Sequence, residues 1–277
     1  MCNSFAKIAK IELISIKPKK AERVKDIYEY YGVAEGFKIH LFLWKEFPYM
    51  TIFYITQLIY FLILQKFIKK IKYDILYGRY LPGIFIANIF GFKTGLELHV
   101  PPSTKIFSKI LFKKLIEAKK FKGLVVISDQ LKSDILDIYP SLINKIFVAH
   151  DGADIPHNSS VPKKSRIHDY ESNNTLNVGY VGHLYRGRGT QLLIDMAKEC
   201  AFANFHIIGG TESDIQYWKQ KASTVQNIIF HGYISPNSTS YYREKFDILV
   251  APYEKDVSIA GNKFSTVRWM SPLKIFE

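Results

Sequence analysis

The chain has 277 residues, a length that suits two domains or one large one. Apolar residues make up 48% and charged residues 23%, a balance that excludes the disordered class of protein. The formal net charge of +13 excludes an acidic solvating tail and favours partners that carry phosphate, and the two cysteines are too few for a disulfide scaffold and indicate a reducing compartment.

The first part of the chain alternates apolar runs with helical patterns. A helix is predicted over residues 1–10. Strands are predicted where aliphatic and β-branched residues cluster, at 11–16, 37–44, 74–78, 93–99, 123–128 and 146–149. Helices are predicted at 83–89, 103–120 and 130–139. This alternation is typical of a parallel sheet with helices on both faces.

The segment 47–65 contains no charged side chain, which meets the minimum length of a transmembrane helix. It also contains Pro48 and several Thr and Gln residues, and lysines follow it up to Lys72. Three interpretations fit this pattern: a very apolar helix of a cytosolic domain, an interfacial helix with a basic rim, and a membrane span. The segment 47–72 is therefore a candidate for peripheral contact with a membrane.

A polar stretch without apolar periodicity, 156–175, separates two halves of the chain. We predict a first domain over 1–160, a linker over 161–175 and a second domain over 176–277. In the second half, strands are predicted at 176–181, 203–208, 227–231 and 248–251, and helices at 189–200, 213–222 and 238–245.

The most informative motif is GYVGHLYRGRG, at 179–189. A strand ends at Val181, a glycine-rich turn follows, and a helix is predicted to begin near Thr190. Such a turn directs backbone N–H groups and the positive end of a helix toward an anion. His183, Arg186 and Arg188 add side-chain donors. A phosphate-binding loop fits this pattern, and so does a tight turn with solvated arginines.

Two other features lie at the carboxyl ends of predicted strands, the edge where open α/β sheets bind ligands. Gly209 and Gly210 follow one strand, and His99 ends another. A histidine at this place can donate a hydrogen bond to a hydroxyl or stabilise a phosphate, although a single histidine at the end of a strand is more often structural.

The last residues, SPLKIFE, have the pattern of a helix start. Ser271 suits an N-cap and Pro272 the first helical position. The backbone amides of Leu273 and Lys274 would then be open to an anion, and Glu277 could accept hydrogen bonds from sugar hydroxyls.

Metal-binding patterns are weak. The histidines show no His-x3-His spacing, and the closest approaches to an Asp-x-Asp pair are Glu212-x-Asp214 and Glu254-x-Asp256. No metal site and no cofactor are therefore predicted.

Together these features resemble the retaining, GT-B-type glycosyltransferases of family 4. The resemblance rests on the 179–189 loop and on motifs in the expected order: YGRY (77–80), ELH (97–99), LVVIS (124–128), HDGAD (150–154), FHG (230–232), FDILVAPY (246–253) and SPLKIFE (271–277). It implies an α/β fold of two Rossmann-like domains, the first lacking its opening strand and the second incomplete at its C-terminus. We therefore expect an interior fragment or a truncated reading frame, with weak or no catalysis.

The resemblance also implies a site. His99 corresponds to a family histidine that contacts the donor sugar, and it is the predicted catalytic residue. His183 and Arg188 stand where the family has a basic pair, and only Arg188 keeps the charge. Trp269 replaces the first glutamate of the family's Glu-x7-Glu motif, whose second member corresponds to Glu277. The predicted donor-binding residues are Gly182, His183, Arg188, Gly189, Gly209, Gly210, Pro272, Leu273, Lys274 and Glu277.

The implied function is metal-independent, retaining transfer of a sugar from a nucleotide-diphosphate sugar to a hydroxyl of a cell-surface glycan or a lipid-linked acceptor. The implied location is the cytoplasm, with peripheral contact at the inner face of the membrane as an alternative. A second hypothesis is a catalytically inactive remnant that binds only a nucleotide or a partner, motivated by the expected truncation and by Trp269. Binding to nucleic acid ranks last, because the charge is scattered and no binding motif occurs.

Overall fold

The computed structural model describes residues 1–17, 26–43, 73–102, 106–153, 175–257 and 265–276. The chain divides into two compact units: the first holds Met1–Lys45 and Asp154–Ser265, and the second holds Glu46–Ala153 and Thr266–Glu277. The predicted linker at 161–175 falls almost wholly outside the described residues, and the segment 47–72 lies outside them entirely. The predicted domain boundaries stay predictions.

The first unit opens with α1 (Cys2–Ala6), β1 (Glu12–Lys17), α2 (Ile27–Tyr31) and β2 (Lys38–Leu43). The two strands pair in parallel, with Glu12 opposite Lys38. Among the described residues they form a sheet of their own. The Asp26 carboxylate accepts the N–H groups of Tyr28 and Glu29 in α2. The helix is followed by Gly32, whose positive φ would strain a side chain.

The second unit continues with β3 (Leu76–Gly78), α3 (Leu81–Ile89), β4 (Thr94–Leu98), α4 (Ile106–Glu117), β5 (Phe121–Val126), α5 (Asp129–Ile138) and β6 (Ile146–Val148). All neighbouring strands are parallel, in the order β3-β4-β5-β6. Parallel neighbours need crossover connections, which the helices supply. The buried core joins the sheet to its helices through Ile84, Leu96, Phe112, Leu115, Leu124, Leu131 and Ile135.

The first unit resumes with β7 (Leu176–Val181), α6 (Thr190–Glu199), β8 (Ala203–Ile208), α7 (Glu212–Lys221), β9 (Ile228–Gly232), α8 (Pro236–Arg243) and β10 (Ile248–Leu249). The strands are again parallel, in the order β10-β7-β8-β9. The core between sheet and helices includes Val178, Tyr180, Leu193, Phe205 and Ile207. The chain ends in the second unit with α9 (Leu273–Phe276).

The predicted α/β alternation is confirmed in both halves, with small differences in bounds. The helix predicted at 1–10 is limited to α1, and the helix predicted at 103–120 is limited to α4 among the described residues. The strand predicted at 248–251 contains only two residues, since Pro252 has no N–H to extend the ladder. Among the helices that the structure describes, none combines the length and the apolarity needed to cross a membrane.

Candidate functional site

Glycines shape the carboxyl edge of the sheet in the first unit. Gly182 follows β7 with φ 152°, and Gly209 follows β8 with φ 112°. The Gly182 N–H donates to the Ile208 carbonyl at 2.9 Å, and the Gly209 N–H donates to the Gly232 carbonyl at 2.7 Å. A Cβ on Gly209 would collide with the Gly182 carbonyl. The turns after β7 and β8 are therefore each linked to the next strand by a backbone hydrogen bond, and glycine is required at position 209 because the Gly182 carbonyl occupies the space of a side chain.

The predicted loop at 182–189 leads directly into α6. Gly189 is the N-cap of α6, with φ 81°, and it supplies no side chain to the first N–H groups of the helix. A Cβ on Gly187 would collide with the Asp256 carbonyl, and one on Gly189 with the Pro252 carbonyl. The loop thus packs closely on the segment after β10 and leaves the helix N-terminus uncapped by side chains, a favourable place for an anion.

Arg188 and Thr190 have polar atoms at this helix N-terminus that are buried without partners. The Arg188 guanidinium donates to the Tyr253 hydroxyl at 3.3 Å and lies 5.3 Å from the centre of its ring. The Arg188 Nε and the Thr190 Oγ1 are buried and have no hydrogen-bond partner among the described residues. Thr190 is only 2% exposed. An unsatisfied buried polar atom costs about 1–3 kcal/mol, so such atoms indicate a functional constraint or a bound group.

The other two polar side chains of the loop are engaged differently. The His183 ring stacks on Tyr185, with centres 4.8 Å apart, and the His183 carbonyl accepts the buried Tyr180 hydroxyl at 2.6 Å. Arg186 is exposed and pairs with Asp256 at 3.1 Å. Arg188 is therefore the loop side chain whose position best suits an anion. Gly182, His183, Arg188, Gly189, Gly209 and Gly210 all lie at this one edge of the sheet.

The second unit contains a different cluster, around His99. The Glu97 side chain, near the end of β4, is 5% exposed and accepts three side-chain donors. The Tyr77 hydroxyl donates to Oε2 at 2.6 Å, the Arg79 Nη2 lies 2.7 Å from Oε1, and the His99 Nε2 lies 2.7 Å from the same oxygen. The predicted site residue His99 therefore contacts Glu97, whose carboxylate also binds Tyr77 and Arg79. None of these three neighbours was among the predicted site residues.

The sheet register explains this cluster. Gly78 of β3 lies opposite Leu96 of β4, so the positions of Arg79 and Glu97 are adjacent across the two strands. Residues two apart share one face of a strand, which brings Tyr77 to the same place. The ELH spacing was the signal in the sequence, because it puts a carboxylate and an imidazole on one face. The donors from β3 depend on the register, which the sequence does not show.

Electrostatics keep Glu97 ionised. Burial acts to raise its pKa, but the hydrogen bonds from His99 and Tyr77 and the charge of Arg79 outweigh burial and lower the pKa to about 2. Burial and the hydrogen bond to Glu97 raise the pKa of the Tyr77 hydroxyl. At neutral pH the cluster therefore contains a carboxylate that accepts and a phenol that donates.

The C-terminal segment is anchored within the second unit. The Ser271 hydroxyl accepts the Asp151 N–H at 3.1 Å, and the Ser128 hydroxyl donates to the Trp269 carbonyl at 2.9 Å. The Trp269 indole donates to Asp134 at 2.7 Å. The short α9 begins at Leu273, one residue later than the predicted start at Pro272, because Ser271 accepts from Asp151 rather than capping the helix. Leu273 and Lys274 lie in its only turn, Pro272 precedes it, and Glu277 lies outside the described residues.

Trp269 thus has a structural role where the family resemblance would place a glutamate. Its ring packs against the core of the second unit, and Asp134 also receives two hydrogen bonds from Arg268 at 2.8 Å. Those bonds, with the one from Trp269, lower the pKa of Asp134. Over the described ranges, no group of three His, Cys, Asp or Glu side chains is arranged to hold a metal ion.

No protein-family model matches the chain, and neither does any curated protein. Solved structures do match. A glycosyltransferase from Rickettsia africae has a TM-score of 0.60 at 14% identity, over 90% of this chain and 74% of that one. Sucrose-phosphate synthase from Thermosynechococcus elongatus has a TM-score of 0.57 at 13% identity, over 88% and 76%. Anabaena HepE in complex with UDP has a TM-score of 0.56 at 16% identity, over 91% and 76%. The fold is therefore the GT-B type, with two Rossmann-like domains.

Proposed function

We propose that the protein is a glycosyltransferase that moves a hexosyl group from a nucleotide-diphosphate sugar to a hydroxyl acceptor. The observation that carries the proposal is the N-terminus of α6. There a glycine N-cap leaves the helix amides without a capping side chain, and Arg188 and Thr190 bury polar atoms that have no partner in the described part of the chain. A diphosphate supplies the acceptor oxygens that such a place lacks.

Glycosyl transfer requires little of the protein beyond stabilisation of the charge that develops on the leaving group. When the glycosidic bond to the diphosphate breaks, negative charge develops on the leaving oxygen. The amides of α6 and the Arg188 guanidinium would stabilise that charge without a metal ion, since a guanidinium fits phosphate in a fork. In this proposal His99 contacts the donor sugar, and the acceptor hydroxyl attacks from the face that the diphosphate leaves, which retains the anomeric configuration. The bond to the diphosphate oxygen breaks as the new glycosidic bond forms, and the proton of the acceptor hydroxyl passes to the leaving diphosphate.

Binding of a nucleotide is the first test. One structural neighbour is a complex with UDP and another a complex with UDP-glucose, so these two compounds are the probes. We expect UDP to bind the full chain in calorimetry and Arg188→Ala to weaken binding about tenfold to hundredfold, since a hydrogen bond to a charged group contributes about 1.5–3 kcal/mol. The UDP affinity of Arg188→Lys should lie between those of the unaltered protein and Arg188→Ala, because lysine keeps the charge but lacks the guanidinium fork.

Arg186→Ala is the matched control. It removes the same charge from the same loop, but Arg186 is exposed and pairs with Asp256. Its effect on UDP affinity should be small, and EDTA should leave the affinity unchanged. Equal losses in both variants would indicate nonspecific attraction by a basic loop. Failure of UDP, GDP, ADP and dTDP to bind would contradict the proposal.

Turnover is the second test. Release of UDP from UDP-glucose should require a hydroxyl acceptor, and the product should keep the α configuration of the donor in its anomeric NMR signal. The acceptor class that we propose is a cell-surface glycan or a lipid-linked sugar. Contact with an anionic membrane surface is also proposed, from the net charge of +13. Sedimentation with anionic vesicles at low salt, and release at high salt, would support it.

A further inference from the structure

The Glu97 carboxylate contacts the imidazole of His99 as well as the positive charge of Arg79. Arg79 already supplies one positive charge to this side chain, and Tyr77 occupies Oε2. His99 then adds a third contact, to Oε1 at 2.7 Å. These three contacts hold the carboxylate in one position, because moving it would leave a buried charge without its partners.

This contact determines which ring nitrogen of His99 carries hydrogen. An ionised carboxylate can only accept, so the Nε2 facing it must be the N–H. In the neutral ring, Nδ1 is then a lone-pair acceptor. Nδ1 makes no hydrogen bond to any residue that the structure describes, and the His99 side chain is 34% exposed. The outward nitrogen is therefore open to a ligand.

The sheet also fixes where the donors to Glu97 lie. Gly95 stands beside Tyr77 across β3 and β4, and a Cβ at Gly95 would come within 3.0 Å of the Tyr77 ring. The missing side chain makes room for the phenol to reach Glu97. Phenol, guanidinium and imidazole thus meet one carboxylate from two neighbouring strands.

We infer that Glu97 is a positioning residue that acts through His99, holding the ring with its Nε2–H on the carboxylate and its Nδ1 outward as a hydrogen-bond acceptor for a hydroxyl. That the hydroxyl belongs to a sugar rests on the function proposed above. The tautomer itself follows from the geometry of this cluster.

Histidine NMR tests the tautomer without a nucleotide or an acceptor. In the full chain labelled with ¹⁵N-histidine, two-bond ¹H–¹⁵N spectra at about pH 8 distinguish Nε2–H from Nδ1–H rings. His99→Gln identifies the His99 signals by their loss. We expect the Nε2–H pattern for His99 in the unaltered protein, and an Nδ1–H pattern would overturn the inference whatever the variants do.

Two variants separate positioning from a purely structural role. Glu97→Leu removes the acceptor and should give His99 a mixture of tautomers. Glu97→Gln should restore the Nε2–H pattern, because its amide oxygen can take the Oε1 position between Arg79 and His99 while its NH2 faces the Tyr77 hydroxyl. Tyr77→Phe, which removes the hydrogen bond to Oε2 and leaves the Oε1 contact with His99 in place, should keep the pattern.

His150 serves as the internal reference for the fold. It lies in the same unit, and its Nδ1 is 3.1 Å from the Ile127 carbonyl. Its signals should stay unchanged in every variant. A His99 pattern in Glu97→Leu identical to the unaltered protein, with His150 signals intact, would overturn the inference. If the unaltered protein binds no nucleotide but its His99 shows the Nε2–H pattern, the proposed function is contradicted and the role of Glu97 is still supported.

Discussion

Lowering the pH should destabilise the first unit through one buried histidine. His206 of β8 is 1% exposed. Its ring nitrogens lie 2.9 Å from the His231 Nε2 and 3.1 Å from the Asn177 Oδ1, and its ring is 5.4 Å from that of Phe246. Burial, and after it the neighbouring His231, lowers the pKa of His206 from 6.5 to about 4.

The sign and size of the effect follow from linkage. Between pH 6.5 and about 4 the unfolded chain binds a proton at this position that the folded chain does not, so stability is lost as the pH falls through this window. The loss amounts to about 2 kcal/mol between pH 7 and pH 5, and to about 3 kcal/mol once the pH is below both values. Glu97, whose pKa is lowered from 4.5 to about 2, loses its contribution to stability mainly between these two values and therefore adds little between pH 7 and pH 5.

Urea unfolding at a series of pH values measures the loss. Trp218 packs against the same core as β8, so its fluorescence follows this unit. His206→Gln keeps groups that can hydrogen-bond to Asn177 and His231 but does not titrate. Its stability should therefore fall by about 2 kcal/mol less between pH 7 and pH 5 than that of the unaltered protein. His150→Gln is the control for replacing a histidine, since His150 lies in the second unit.

The reasoning would be refuted by equal pH dependence in the unaltered protein and in His206→Gln. Differences in stability at a single pH would not bear on it, since Gln packs differently from His. The decisive quantity is the slope of the free energy of unfolding against pH.

Three other substitutions test single contacts. Gly179→Ala puts a Cβ into an aromatic ring packed on β7 and should cost about 1–3 kcal/mol in urea unfolding. Asn227→Ala removes the amide that donates to three carbonyls around the α6–β8 turn and should cost about 1–3 kcal/mol, whereas an exposed asparagine should tolerate alanine. Asp134→Ala removes the acceptor shared by Arg268 and Trp269 and should speed hydrogen exchange over 266–276; unchanged exchange there would show that the anchor is unnecessary.

The elements around the glycine turns are predictable from sequence. β7 and β8 have the predicted bounds, because each is an apolar run that ends at a glycine. The start of α6 at Thr190 is also as predicted, since glycines and polar residues precede an amphipathic pattern. These boundaries depend on residues that are close together along the chain, so they can be predicted from the sequence.

The cluster around His99 is only partly predictable. The spacing of Glu97 and His99 puts both on one face of β4, but the contacts from Tyr77 and Arg79 depend on how β3 aligns with β4. That alignment is set by packing of the whole sheet. Trp269 is a second example of a role that depends on tertiary packing. Its position in the motif suggests contact with a ligand, but in the folded chain its indole donates to Asp134 and its ring packs against the core.

The glycine turns at the edge of the first unit's sheet determine which substitutions this edge tolerates. Gly182 and Gly209 join neighbouring strands through backbone N–H groups and carbonyls, and Gly189 opens α6 without a side chain. A sheet edge built in this way needs glycine at these positions, because a Cβ there would strain the backbone or collide with a neighbouring carbonyl. Substitutions at the three glycines should therefore distort this edge, while side chains that face solvent around it are free to change.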